Sequence, residues 1–367
     1  MDFYMPTKFY SGYGIVQEKK DIFTSLGKKC LVVCGKNSAR VSGSLDELDA
    51  LFREIGIEYE IFDEIIPNPL MQTCVVAGRK AHDMKADFIV GLGGGSVLDS
   101  AKVIALVAAN PQLEEETIYS KDWNRKPIPL VLIGLTAGTG SEVTDVSVMT
   151  NKEGKKKSIH DEVLYADVAM GDARYTTSLG HHTTVSTAID AFAHAFESYF
   201  SNKANEISQV FSVQCITSLW DNLVALKDPD VQLSLKQREE LYDASILGGL
   251  AICVTGTVFA HNVGYYFTEE HQVPHGFACA LFAPDLLEYE SQTQPEYTEE
   301  FLSRIGKSKE EVSDLLESLV PDFGISLTEQ EIDDLMPRWE NNGSVNNTRG
   351  GISTDRIKKI LVHKFVK

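Results

Sequence analysis

No apolar run in this chain approaches the length needed to cross a bilayer, so no membrane span is expected. The opening residues, Met1-Asp-Phe-Tyr-Met-Pro-Thr-Lys8, lack a basic stretch leading into an apolar one, and no signal peptide is expected. Positive charge is scarce. The 34 Lys and Arg face 53 Asp and Glu, a formal net charge of -19. Such a surface repels a phosphate backbone or an anionic membrane, which argues against both as partners. A small phosphorylated ligand is still allowed, because it responds to local charge. Cysteine is sparse too: Cys30, Cys34, Cys74, Cys215, Cys253 and Cys279 are scattered, mostly among apolar neighbours. Cys30 and Cys34 flank a strand-like Leu-Val-Val and read as buried thiols, not as ligands or a disulfide. No internal repeat or low-complexity tract appears, and a cytoplasmic location is expected.

The 367 residues exceed one ordinary core, and 43% hydrophobic with 24% charged residues is the composition of a globular protein. The first half alternates β-rich runs with helical patterns. Strands are expected over 29–34, 58–62, 87–92 and 129–134, and helices over 44–55, 71–85 and 99–109. Near-continuous apolar strands separated by helices predict a parallel sheet covered on both faces. From about Thr183 the β-rich runs fade, and helical periodicity covers 183–200, 206–225, 237–254, 276–290, 308–319 and 353–364. The expected organisation is an α/β domain over 1–178 and an all-α domain over 179–367. Lys152–Lys157 reads as a solvated hairpin turn.

Two loops carry a ligand signature. The strand at 87–92 runs into Gly93-Gly-Gly-Ser96, and the one ending near Gly134 opens into Thr136-Ala-Gly-Thr-Gly-Ser141. Consecutive glycines let a backbone approach a ligand, and a helix N-terminus offers N–H groups to an anion. Two such loops favour a dinucleotide over a mere tight turn. Neither follows the first strand as G-x-G-x-x-G, so an ordinary Rossmann domain is disfavoured. After the first strand stands Gly35-Lys36-Asn37-Ser38-Ala39-Arg40, without an acidic residue for a ribose 2'-hydroxyl. Gly35 leaves space there, and Lys36, Ser38 and Arg40 suit a 2'-phosphate, which favours NADP(H) over NAD(H).

The second half carries a metal pattern. Asp190 and His194 stand one helical turn apart, on one face, and His261 and His275 follow fourteen residues from each other. One carboxylate and three imidazoles suit a divalent transition metal, with Fe(II) and Zn(II) both open. An open coordination position would let a substrate oxygen bind as to a Lewis acid. His181-His182 reads as a loop pair, and Glu197, one turn beyond His194, as a helix surface charge, with a partner to the metal ligands as the alternative.

The motifs Gly93-Gly-Gly-Ser-Val-Leu-Asp99-Ser-Ala-Lys102, Thr136-Ala-Gly-Thr-Gly-Ser-Glu-Val-Thr144, Asp190-x3-His194 and His261-x13-His275-Gly276 resemble those of the iron-containing (group III) alcohol dehydrogenase family. The resemblance covers about three quarters of the chain, with the last sixty residues matching only as a helical tail. It implies the dehydroquinate synthase-like architecture and ligand roles for Asp190, His194, His261 and His275. It also implies dinucleotide contacts at Gly94, Gly95, Ser96 and Asp99, further ones at Thr136, Thr139 and Ser141, and one at Lys157. Iron is the implied metal, and a homodimer the expected assembly. Many members carry a histidine four residues after the first downstream ligand; here Tyr265 stands in its place, leaving Tyr265 or His271 to relay the proton. The implied activity is hydride transfer between NADP(H) and a small primary alcohol or aldehyde. A polyol dehydrogenase (glycerol- or propanediol-type) is the alternative. A sugar-phosphate lyase of the same superfamily is disfavoured, because residues 250–280 are neutral to acidic.

Overall fold

The structure, a computed structural model, describes residues 3–366. Among the described residues eight strands form: β1 (Lys8–Ser11), β2 (Lys29–Gly35), β3 (Glu58–Ile65), β4 (Phe88–Gly93), β5 (Leu130–Gly134), β6 (Val146–Thr150), β7 (Lys156–His160) and β8 (Val168–Gly171). Six of them make a sheet in the order β1-β8-β5-β4-β2-β3, parallel throughout. β6 and β7 pair as an antiparallel hairpin whose turn holds Asn151 to Lys155.

Successive side chains point to opposite faces and both faces are covered, so β4, β5 and β2 from Cys30 to Cys34 carry no charged or polar residue. Leu31, Val33, Ile89 and Leu132 point to one face, where Cys74, Val75 and Ala77 of the helix Met71–Asp83 and Leu98 and Ala101 of the helix Gly95–Ala109 cover them. Cys30, Val32, Val90, Leu92, Val131 and Ile133 point to the other, under Leu45, Leu48 and Phe52 of the helix Ser44–Ile55. That helix places Leu45, Leu48 and Phe52 on one stripe and stops at Gly56, whose φ of 71° closes a left-handed cap.

Cα register aligns the carboxyl ends of three neighbouring strands. Gly93 pairs with Gly134, and Leu92 with both Ile133 and Cys34, so the loops after β2, β4 and β5 leave the sheet side by side. In open parallel sheets this edge is where ligands bind.

By contact clustering the chain divides into two compact units: Tyr4–Gly180 with Leu233–Ile246, and His181–Gln232 with Leu247–Lys367. The long helix Leu235–Thr255 contributes its first half to the sheet unit, where the Tyr242 hydroxyl donates to Glu142 Oε1 at 2.7 Å. The second unit is helical. Its helix His181–Tyr199 is buried at every position from Ala188 to Tyr199, as befits a central helix apolar almost all round. The helices Glu206–Ala225 and His275–Ala280 pack against it.

Some elements differ from expectation. The helix expected from Asp99 begins at Gly95, because the Val97 and Leu98 amides already donate to Gly94 O. The stretch 276–290 is two helices, His275–Ala280 and Ala283–Thr293. Pro284 opens the second, where its missing N–H costs nothing, and cannot continue the first. His181 and His182 are the first residues of a helix, not a loop. Among the described residues no single helix is long and apolar enough to cross a membrane.

Candidate metal centre and dinucleotide loops

Four residues from three stretches of the sequence meet in the helical unit. Asp190 and His194 project from one face of the helix His181–Tyr199, flanked by the buried Ala191, Ala193 and Ala195. His261 lies in the first turn of the helix Phe259–Glu270, and His275 opens the helix His275–Ala280. Gly276 allows that last helix to come close: a Cβ there would lie 1.8 Å from Ser186 O and 3.0 Å from the Asp190 Cβ.

Asp190 Oδ1 sits 3.8 Å from His194 Nε2, 3.6 Å from His261 Nε2 and 3.9 Å from His275 Nε2. The His194 and His261 rings stack with centroids 4.7 Å apart. Asp190 and His261 are only 3% and 1% exposed, yet Asp190 Oδ1 and His261 Nε2 have no hydrogen-bond partner. A buried carboxylate oxygen without a partner is costly, and a cation at the focus of these atoms removes the cost. Burial alone would raise the Asp190 carboxyl, but the His194, His275 and His261 imidazoles outweigh it and hold the group well below the usual carboxylate range. The donor set of one oxygen and three nitrogens suits Fe(II) or Zn(II).

Glu197 is 0% exposed, so it is the alternative partner to the ligands and not the surface charge that was favoured. Its Oε1 accepts a short hydrogen bond from His261 Nδ1, while Oε2 accepts from the Val258 amide at 2.8 Å and the His261 amide at 3.3 Å. A carboxylate on Nδ1 fixes the tautomer that turns a bare Nε2 lone pair toward Asp190. The signal was present: Asp190, His194 and Glu197 stand at i, i+4 and i+7 on one stripe.

Tyr265, one turn after His261, stacks its ring on His275 at 5.5 Å and 21°. Desolvation raises its phenol well above the ordinary value, so it stays protonated and can donate. His271 is not brought to this cluster. It is exposed at the far end of the helix Phe259–Glu270, about 15 Å along the axis from His261, with Nε2 3.4 Å from the Tyr266 hydroxyl. Cys279, absent from the sequence-based set, does join: its Sγ lies 3.6 Å from His275 Nδ1 and 3.7 Å from Nε2.

In the sheet unit the two glycine-rich loops pack on each other. A Cβ on Gly94 would lie 2.9 Å from Thr136 Cγ2, and one on Gly95 would lie 2.5 Å from Thr139 Cγ2. These glycines are therefore required by the second loop as well as by any ligand. Ser96, Thr136 and Thr139 remain half-buried at this edge. Asp99 and Ser141 are tied inward: Ser141 Oγ donates to Asp99 Oδ1 at 2.5 Å, and the Val148 amide to Asp99 Oδ2 at 2.9 Å. Beneath them the buried Lys102 donates to Ser141 Oγ, Thr144 Oγ1 and Val146 O at 2.9, 3.3 and 2.6 Å. Burial lowers this ammonium, with Asp99 the main opposing charge.

Gly35 closes β2 with room limited by Ile65 O, 3.3 Å from a built Cβ, and Lys36 and Ser38 are exposed beyond it. Arg40 is already engaged. It donates to Lys36 O at 2.7 Å and pairs with Asp63 at 2.8 Å, an acid from β3 that no reading along β2 could reveal. Lys157 stands exposed on β7 with its ammonium 4.2 Å from the Tyr119 ring centroid.

Metal-dependent dehydrogenases that couple a parallel-sheet domain to a helical one have this organisation, and comparison with known proteins narrows the class. Residues 6–173 match the iron-containing alcohol dehydrogenase family, and residues 184–333 the C-terminal family of the Fe-containing alcohol dehydrogenases. A crystal structure of an iron-containing alcohol dehydrogenase from Thermotoga maritima is 32% identical with a TM-score of 0.90, over 99% of this chain and 98% of that one. The sulfoacetaldehyde reductase of Bifidobacterium kashiwanohense, solved with NAD+, is 26% identical with a TM-score of 0.87, over 99% and 98% of the two chains. An NADPH-dependent butanol dehydrogenase of Clostridium saccharobutylicum is 26% identical over 330 residues, 88% of this chain and 83% of that protein. The chain belongs to the iron-containing alcohol dehydrogenase family.

Proposed function

We propose that this chain interconverts a small primary alcohol and its aldehyde with NADP(H), using one divalent ion held by Asp190, His194, His261 and His275. The observation that carries the reading is the approach of three Nε2 atoms to within 3.9 Å of one buried carboxylate oxygen that lacks a hydrogen-bond partner. An ion held there supplies Lewis acidity toward a carbonyl oxygen, and Fe(II), the family's metal, fits the donor set. The nicotinamide supplies or accepts the hydride.

The residues have distinct tasks. Glu197 holds the His261 tautomer, and Asp190 stays ionised to balance the cation. Tyr265, protonated and stacked on His275, is placed to deliver the proton that an alkoxide needs. In the sheet unit, Gly94, Gly95 and Ser96 open a fifteen-residue helix whose N-terminal amides suit a pyrophosphate. Thr136 and Thr139 add hydroxyls beside it. Asp99 and Ser141 shape the two loops through their mutual hydrogen bond. Lys36 and Ser38 beside Gly35 are the groups proposed for the 2'-phosphate, with Arg40 partly neutralised by Asp63. One solved relative carries NAD+, and a relative known by sequence is NADPH-dependent.

Oxidation of NADPH and NADH against an aldehyde panel, with metal-depleted protein reloaded anaerobically with Fe(II) or Zn(II), tests it. Metal-dependent turnover faster with NADPH is expected. Equal turnover after chelation would remove the metal from the reaction, and faster turnover with NADH would remove the 2'-phosphate site.

A further inference from the structure

Cys279 stands four residues after His275, one turn along the helix His275–Ala280, and is fully buried. Its Sγ lies 3.7 Å from His275 Nε2, the same nitrogen that faces Asp190 Oδ1 at 3.9 Å. Asp190, His261, His275 and Cys279 each offer one donor atom, and these four atoms lie within 4.8 Å of one another. Two of the partners, Asp190 Oδ1 and His261 Nε2, are buried atoms without a hydrogen bond, 3.6 Å apart. The spacing is right for shared coordination. A metal–sulfur bond of about 2.3 Å and a metal–nitrogen bond of about 2.0–2.1 Å, about 90–120° apart, set sulfur and nitrogen about 3.1–3.8 Å from each other.

We infer that Cys279 is a metal ligand, its thiolate joining the oxygen and nitrogen donors and turning the centre toward Zn(II). This rests on the reading that Asp190, His194, His261 and His275 hold one ion. A thiolate is a soft donor and favours Zn(II) over Fe(II) beyond what an all-nitrogen-and-oxygen set does. The competing role for Cys279 is that of an orienting partner whose S–H donates to the His275 ring without touching the ion.

Co(II) substitution of the metal-depleted protein separates the roles. With a thiolate ligand, the wild-type Co(II) protein shows a sulfur-to-metal charge-transfer band in the near ultraviolet. X-ray absorption of the Zn(II) protein then shows one sulfur at about 2.3 Å. Both signals vanish in Cys279→Ser and Cys279→Ala, and the Zn(II)-to-Fe(II) affinity ratio falls by about tenfold or more. X-ray absorption needs only the wild-type protein, so a variant that misfolds leaves the test intact. If one Co(II) binds per chain without a sulfur signal, Cys279 is not a ligand and the inference fails while the ion site stands. If no ion binds, or if binding survives in His261→Ala, the underlying site is wrong and the inference falls with it.

Discussion

Replacing Glu197 by glutamine changes one atom and tests how the centre is held. In the native structure both carboxylate oxygens accept, Oε1 from His261 Nδ1 and Oε2 from the amides of Val258 and His261. A glutamine offers one acceptor and one donor in the same place. With its oxygen toward Nδ1, its amide nitrogen faces two backbone N–H groups. Each buried donor left facing a donor costs about 1–3 kcal/mol, so this orientation destabilises the fold by about 2–6 kcal/mol. With the amide reversed, the NH2 group faces Nδ1 and stabilises the tautomer that carries its proton on Nε2. That proton points at Asp190 Oδ1, where a cation must sit, and must be removed before the ion binds. Loss of such an outer-shell carboxylate costs about 10–100-fold in metal affinity. Zn(II) titration against a competing chelator, run beside thermal unfolding of metal-free protein, reads both outcomes. Glu197→Gln is expected to weaken metal binding in that range or to unfold measurably earlier. A variant matching wild type in both readings would refute the role assigned to Glu197.

Other changes have equally definite outcomes. Gly276→Ala drives a methyl group into Ser186 O, 1.8 Å away, so the helix His275–Ala280 must retreat from Asp190; a loss of about 1–3 kcal/mol in stability with reduced metal stoichiometry is expected, and normal values in both would contradict the packing. Lys102→Met strips three hydrogen bonds and the Asp99 pairing from a buried site, and a loss of about 3–5 kcal/mol is expected in denaturant unfolding, with metal content retained. Glu290 is fully buried with neither carboxylate oxygen hydrogen-bonded; burial, opposed by Arg349, pushes it up from 4.5 to about 8. Between those values the folded chain holds a proton that the unfolded chain has lost, so stability from this group falls as pH rises from about 5 to 8. Glu290→Gln should flatten that slope in thermal unfolding, and an unchanged slope would rule the assignment out.

The centre of the sheet was legible because β2, β4 and β5 are apolar runs between helical patterns, and a parallel sheet covered by helices buries such runs on both faces. The four-residue strands β1 and β8 are too short to show a pattern. Asp190 with His194 was readable from the helical spacing, and His261 with His275 from the scarcity of other roles for them. Their partners were harder. Glu197 looked like any polar residue on a helix, since burial on a helix surrounded by other helices depends on tertiary neighbours. Cys279 lay one turn after His275 but among apolar residues, where a thiol reads as packing. Asp63 reaches Arg40 from a different strand, so the reading of the loop after β2 as purely basic overlooked its counter-charge. His271 misled because closeness in sequence to His261 and His275 is not closeness in space once an intervening helix runs away from the cluster.

Equilibrium dialysis of metal-depleted protein against anaerobic Fe(II), with the ion counted per chain, bears on the convergence of Asp190, His194, His261 and His275 more directly than any rate. One ion per chain in the wild type and none in the paired Asp190→Ala/His261→Ala variant, itself shown to be folded, is the expected result. Equal Fe(II) content in the two proteins would contradict it.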